Sequence, residues 1–239
     1  LDEDWFVLIH IAIEAQAAPA IQSCIDAIKA VNDQAIEILA DTLDNLSKTL
    51  HILVNILSRM AEKCDPYVYY NRVRTFIFGW MKNPALPNGV FYRGVKEWEG
   101  EGQYFRGETG AQSSIIPSID ACLGLKFNQD TPLHKHLISL REYMPPKHQK
   151  FIQKIEELEE TYSVRQFVFS HNSHKKLVSS YNACLDEISE FRRIHFNYAM
   201  AFINKQSEKY GSPVGTGTGG TPLVKYLGNH IEEIVASKI

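Results

Sequence analysis

His195 stands in a long row of apolar side chains near the carboxyl-terminal end of the chain. The spacings of four and three residues in this row keep side chains on one face of a helix. Its other members are Leu177, Tyr181, Cys184, Ile188, Phe191, Tyr198 and Phe202. An imidazole on such a face needs a partner inside the protein. The sequence leaves two alternatives open: a core histidine that is hydrogen-bonded to a carbonyl group or water, or an axial ligand of a haem iron.

Arg74 offers a second chemical function. It follows Tyr70 by one helical turn, in a segment rich in aromatic residues. Its guanidinium group either reaches solvent or pairs with an acid, or it holds the carboxylate of a small molecule through two parallel hydrogen bonds. Neighbouring aromatic rings suit a flat apolar group on the same molecule. An aromatic amino acid combines both features.

Two further patterns are less specific. The stretch from Gly215 to Gly220 matches GxGxxG, but the chain reaches it from a helix and no βαβ unit surrounds it, which argues against dinucleotide binding. The segment 210–221 is predicted either as a lid that closes over a polar ligand or as a plain linker. The histidine pairs 134/136 and 171/174 lack the neighbouring ligands of a metal site, and we predict that both are solvated.

Helical periodicity dominates the chain and predicts an all-α fold, a helical bundle. A first helix is expected from Asp4, whose carboxylate can cap it, to about residue 31, with a bend or an interruption at Pro19. A second helix carries a leucine row from Leu39 to Leu57, which we interpret as core packing, and ends near Cys64. Further helices are expected at 69–81, 112–123, 132–143, 147–162, 175–209 and 222–237. Residues 82–110 are rich in Gly, Pro and polar groups and are predicted to form a long functional loop.

Composition narrows the class of protein. The 239 residues suffice for one large domain. A net charge of -3 gives no indication of nucleic acid or an anionic membrane as a partner. The four cysteines are scattered without a CxxC pair, and the strongest apolar runs are shorter than a membrane span. We therefore expect a soluble, cytoplasmic protein with reduced thiols.

Five motifs in matching order resemble the indoleamine 2,3-dioxygenase family. They are the segment from Phe105 to Pro117, Arg74-x4-Gly79-Trp80 with Asn83-Pro84, Arg141-x-Tyr-Met-Pro-Pro146, Arg192-x-x-His195 and Gly217-Thr-Gly-Gly-Thr221. The similarity covers the family's large helical domain, which surrounds a haem cavity.

The resemblance implies a haem b site (iron protoporphyrin IX). His195 matches the proximal ligand of the haem iron, Arg192 matches a residue that meets a haem propionate, and Asp120 matches the acidic partner of that arginine. Thr109 and Gly110 match the loop at the haem edge. Leu57 and Ile116 match apolar haem contacts.

The resemblance also implies a pocket for L-tryptophan or a related indoleamine. Arg74 matches the clamp for the substrate carboxylate. Phe6 and Tyr70 match aromatic walls of the indole pocket, with tyrosine in place of the more familiar phenylalanine at the second position. Thr218 and Gly219 match a mobile segment that closes over the bound amino acid.

Two departures from the family pattern stand out. His10 aligns where the mammalian enzymes carry a serine on the distal side, and in this respect the chain resembles the tryptophan 2,3-dioxygenases. Such an imidazole can accept a hydrogen bond from the indole N–H or donate one to bound oxygen, and we assign it a catalytic role. Family members also begin with a smaller helical domain that roofs the pocket, whereas this chain starts after it. We expect a fragment, a roof from a separate domain or chain, or an open pocket.

The implied activity is insertion of both atoms of O2 across the indole C2–C3 bond of L-tryptophan. The product is N-formylkynurenine, in the first step of the kynurenine pathway. The alternatives are a non-catalytic haem protein that binds oxygen on the same scaffold, and a helical interaction domain without a cofactor. Haem uptake and product formation distinguish the three.

Overall fold

The computed structural model describes residues 1–81, 83–210 and 223–239. The fold is all-α, as predicted, and within the described residues β geometry is confined to one isolated bridge between Val90 and Gln103. The helices are α1 (Asp2–Gln16), α2 (Ala18–Asn32), α3 (Ile36–Ser58), α4 (Pro66–Val68), α5 (Arg74–Ile77), α6 (Ile115–Cys122), α7 (Pro132–Leu140), α8 (Pro146–Thr161), α9 (Val164–Ser170), α10 (Lys175–Ala199), α11 (Lys205–Tyr210) and α12 (Leu223–Val235).

The predicted first helix is two helices that meet at Ala17. Pro19 lies in the first turn of α2, where its missing N–H costs no hydrogen bond. The capping prediction for Asp4 was wrong, because α1 begins at Asp2 without a side-chain cap. Together the two helices are long and apolar enough to cross a membrane by length and composition alone. However, α2 packs on α3 and α6 in the main core, which accounts for its apolar face.

The long helices α3 and α10 form the most extensive helix pair and position the candidate site. The leucine row of α3 is buried throughout, which confirms its interpretation as core packing. On α10, the apolar row is buried from Leu177 to Ile188. The pair therefore forms a rigid base, beyond which α10 continues to His195.

The third predicted helix ends earlier than expected. Asp65 caps α4 by accepting from two backbone amides, and the chain then forms a π-helical segment, Tyr69–Val73, before α5. Helix α5 ends at Ile77 and not near residue 81, because Trp80 and Met81 donate their amides to the carbonyl of Phe105. This segment thus leaves the helix to pair with the 82–110 loop.

Other boundaries also differ from the predictions. The helix expected at 112–123 begins at Ile115, after a 3-10 turn at Gly110–Gln112. The helix expected at 175–209 is divided by a second π-helical segment, Met200–Asn204. Helix α9 was not predicted, although Ser163 accepts from the Gln166 amide as an N-cap, a recognisable signal.

The prediction that both histidine pairs are solvated was wrong for three members. His136 is half-buried and accepts a hydrogen bond from Arg106 at 3.2 Å, and burial lowers its pKa to about 4. His174 caps α10 and contacts Glu37, while His171 bonds to the carbonyl of Phe167. These histidines stabilise local structure. Within the described residues, no group of three or more His, Cys, Asp or Glu is arranged to hold a metal ion.

Candidate functional site

His195 combines exposure with strong desolvation. Its side chain is exposed, yet enough protein surrounds the imidazole for desolvation to lower its pKa to about 4. We interpret this combination as the wall of an internal cavity. At neutral pH the imidazole is therefore uncharged, the form that offers a nitrogen lone pair to a metal.

His10 approaches the same cavity from α1. Its positive form would lower the pKa of His195, so the two imidazoles lie within electrostatic range of each other. The His10 Nδ1 lies 2.8 Å from the carbonyl of Phe6, and because a carbonyl only accepts, Nδ1 carries the hydrogen. In the neutral ring, Nε2 is then an acceptor. A Cβ atom added at Gly110 would lie 3.6 Å from this Nε2, in ordinary contact.

The Thr109–Gly110 turn is held in place locally. The Ala111 amide donates to the Thr109 hydroxyl, and the Gln112 side chain contacts the Thr109 amide and the Gly107 carbonyl. This turn therefore presents Gly110 to His10 on a fixed backbone. Of the predicted apolar haem contacts, Leu57 is buried near the end of α3, and Ile116 is half-buried on α6 against the main core.

Arg192 and Asp120 form the predicted ion pair. The Arg192 Nη2 donates to Asp120 Oδ2 at 2.5 Å, and both side chains are largely buried. Burial raises the pKa of Asp120, while Arg192 opposes this rise. The Arg192 Nη1 is buried without a hydrogen-bond partner. A buried donor of this kind needs an acceptor, and a haem propionate has the required chemistry.

Arg74 emerges directly from the first π-helical segment. Its guanidinium lies over the rings of Tyr70, at 5.2 Å, and Phe78, at 4.7 Å. Desolvation lowers its pKa, and interactions with Tyr70 and Tyr69 oppose this. It stays charged at neutral pH. The guanidinium thus lies on an aromatic floor formed by the rings of Tyr70 and Phe78. Because it is partly desolvated, its attraction for a carboxylate is stronger than in water.

The aromatic wall includes a residue that the sequence reasoning missed. Tyr69 contacts the ring of Phe6 at 5.0 Å and that of Phe202 at 5.6 Å. Tyr70, which the family resemblance implies for this wall, is buried in the same apolar cluster and lies beside Arg74. Its role in the wall stays a prediction. The two π-helical segments pack on each other, which is typical of functional sites.

Gly79 permits the close approach that positions the site loop. A Cβ atom there would lie 2.1 Å from the Gly107 amide nitrogen, a backbone contact that no side chain can relieve. The Glu108 amide also donates to the Ile77 carbonyl. The end of α5 and the loop that leads to Thr109 are thus joined backbone to backbone.

We expect Gly79→Ala to destabilise the protein by about 1–3 kcal/mol, because overpacking against backbone forces a shift. Urea unfolding followed by circular dichroism measures this as a lower midpoint. Gly228→Ala is the matched control, since no atom of the described residues lies within 4 Å of a Cβ atom there and the residue is helical. An unchanged midpoint for Gly79→Ala would contradict the close packing.

The remaining predicted residues lie outside the described part of the chain. Thr218 and Gly219, and the lid predicted at 210–221 apart from its first residue, belong to this group. Their role stays a prediction.

Comparison with known proteins identifies the family. A family model described as indoleamine 2,3-dioxygenase matches residues 1–233. The chain is 28% identical to indoleamine 2,3-dioxygenase 2 of Homo sapiens over 93% of its own length and 55% of that protein. It is 32% identical to indoleamine 2,3-dioxygenase nanC of Aspergillus nanangensis, over 95% of its own length and 57% of that protein.

A third relative is named for a different substrate. It is 6-hydroxytryptophan 2,3-dioxygenase fscD of Fusarium equiseti, 30% identical over 95% of this chain and 58% of that protein. The chain thus spans little more than half the length of these relatives. Because the family match covers nearly all of its residues, the chain belongs to the indoleamine 2,3-dioxygenase family.

Proposed function

We propose that this chain forms the haem-binding part of a dioxygenase that acts on L-tryptophan or a related indoleamine. In the proposed reaction both atoms of O2 add across the indole C2–C3 bond, and L-tryptophan gives N-formylkynurenine, the first step of the kynurenine pathway. The observation that carries the proposal is the neutral, exposed but strongly desolvated His195 one turn from a buried Arg192 whose Nη1 has no partner. Membership of a family of haem-dependent dioxygenases supports it.

The residues fit haem b as the cofactor. His195 would supply the axial nitrogen, and Arg192, held by Asp120, would meet a propionate. When bound, haem supplies the iron chemistry by which O2 reacts with the indole ring. The protein would supply a ligand nitrogen from His195, a desolvated environment and the orientation of the substrate.

Arg74 would orient the substrate. A carboxylate bound by its guanidinium fixes one end of the amino acid, and the aromatic rings of Phe6 and Tyr69 offer a surface for the flat indole. Holding indole carbons C2 and C3 in one position lowers the entropic cost of bringing them together with O2. Enclosure by these apolar residues also excludes water.

His10 would bind the indole N–H. Its Nδ1 hydrogen is committed to the Phe6 carbonyl, which leaves the Nε2 lone pair as an acceptor. The hydrogen bond would fix the rotation of the indole ring about its long axis. Arg74 and His10 would then act at opposite ends of one substrate.

We expect His10→Ala to retain haem uptake and to lower kcat/KM for tryptophan about tenfold, the value of one hydrogen bond of about 1.4 kcal/mol. Steady-state assays with tryptophan and 1-methyltryptophan, which lacks the N–H, test the role directly. The preference for tryptophan should shrink in the variant. The exposed His51, paired with Glu187, supplies the control variant His51→Ala. An unchanged preference would remove His10 from this role.

A second candidate is a haem protein that binds oxygen without turnover. His10 favours it, since a distal imidazole can stabilise bound oxygen. The discriminating experiment uses reduced, haem-loaded protein with tryptophan and O2. Formylkynurenine absorbance supports the dioxygenase, and stable oxygen binding without product supports the second candidate.

A further inference from the structure

Four buried polar atoms without hydrogen-bond partners lie close together between α6, α10 and α12. They are Arg192 Nη1, Asp120 Oδ1, His230 Nε2 and Glu233 Oε2. Arg192 is bonded to Asp120, and Glu233 accepts from the Asn128 amide, next to Phe127. Unpartnered buried atoms are costly. Arg192 Nη1, and His230 Nε2 once it carries a proton, can donate to a carboxylate, whereas the oxygens of Asp120 and Glu233 need a donor.

Phe127 connects the two basic groups of this cluster. The imidazole of His230 stacks on its ring with centroids 4.3 Å apart and planes 20° from parallel. The Arg192 guanidinium carbon lies 5.2 Å from the centroid of the same ring. His230 is only 4% exposed, so its unpartnered nitrogen faces the protein interior.

The net charge of the cluster suggests a role for His230. Arg192 is already neutralised by Asp120, so a propionate at Nη1 would bring an uncompensated negative charge into a buried cluster. Within the described residues that contact Phe127, His230 is the other group that can supply a positive charge.

We propose that His230 is a second basic group at the propionate edge of the haem site and that it binds a proton when haem binds. This inference rests on the proposed haem binding and assigns a role to α12 that neither the family resemblance nor the relatives provide. The ligand is a carboxylate of the porphyrin. His230 acts on the cofactor and takes no part in the reaction at the indole.

The charges around His230 are consistent with a change in its protonation when haem binds. Burial, Arg192 on α10 and His134 on α7 lower the pKa of His230 to about 4, so the imidazole is neutral in the absence of haem. Glu233, one turn later on α12, and Asp120 on α6 are the acidic groups of the cluster, and a negative charge on either would favour the protonated form. A nearby propionate adds a further negative charge and therefore raises the pKa of His230.

The test is a hemin titration of the apoprotein, followed by the Soret band. We expect His230→Gln to weaken hemin affinity at least tenfold at pH 7, whereas His134→Gln, which removes another imidazole near the same cluster, changes it less than twofold. Circular dichroism checks that both variants fold. The variant His230→Phe keeps an aromatic ring against Phe127 and should lose as much affinity as His230→Gln. Wild-type affinity in His230→Phe overturns the proposal.

Proton uptake provides an independent measurement on the unmodified chain. Calorimetry of hemin binding in two buffers of different ionisation enthalpy should show about one proton taken up per wild-type molecule at pH 7. No proton uptake in the wild type overturns the role of His230, whatever the variants do. Failure of the wild type to bind hemin at all would instead overturn the proposed function, so the two failures are distinguishable.

Discussion

His195→Ala should abolish axial haem ligation, with loss of the Soret band that the wild type develops on reconstitution with hemin. The prediction follows from the exposed but strongly desolvated position of the imidazole and from its neutral state at pH 7. Removal of the axial nitrogen leaves the porphyrin with propionate and apolar contacts alone. We expect hemin affinity to fall by a factor on the order of 100 or more, as the loss of a strong ligand bond requires.

Chemical rescue separates ligand loss from misfolding. The truncated side chain leaves space for free imidazole, which should restore the ligated spectrum in His195→Ala at millimolar concentration. His51→Ala, at an exposed position, serves as the control for loss of a histidine and should reconstitute like the wild type. A wild-type Soret band in His195→Ala without added imidazole would contradict the assignment of the axial ligand.

Arg74→Ala should raise KM for tryptophan on the order of 100-fold and leave the haem spectrum unchanged. Removing one partner of a desolvated, hydrogen-bonded charge pair costs about 2–5 kcal/mol, and each 1.4 kcal/mol is tenfold. The effect falls on substrate binding, because Arg74 lies on the aromatic floor with Tyr70 and Phe78.

The substrate carboxylate can be removed to test the same contact. Tryptamine lacks this group, so the wild type should discriminate strongly between tryptophan and tryptamine, and Arg74→Ala should discriminate little. Arg72→Ala removes an exposed arginine two residues earlier and is the matched control. An unchanged KM for tryptophan in Arg74→Ala would remove this residue from the clamp.

Periodicity predicted the parts of the fold in which helices stay regular. The leucine row of α3 and the apolar row of α10 from Leu177 to Ile188 are buried as expected, because these side chains pack on the face that their spacing defines. The ion pair of Arg192 and Asp120 was implied by the family motif and is present in the structure. Two regular helices and one motif thus define the part of the candidate site that carries His195 and Arg192.

The rest depended on irregular backbone that periodicity does not encode. A π-helical segment places Tyr69 against Phe6, a contact that periodicity did not predict. The end of α5 was mispredicted because loop residues far along the chain compete for its backbone amides. The sequence did not predict a role for His230, because that role depends on contacts with Phe127 and through it with Arg192, which are distant in sequence.

The most direct test of the central claim is an absorption titration of the purified wild-type chain, first with hemin and then with tryptophan. We predict a stoichiometric Soret band on addition of hemin, and a further shift of that band when tryptophan enters the pocket beside the haem. Hemin that shows only its free spectrum, with no saturable change, would contradict the account, because no haem site would then exist for His195 to complete.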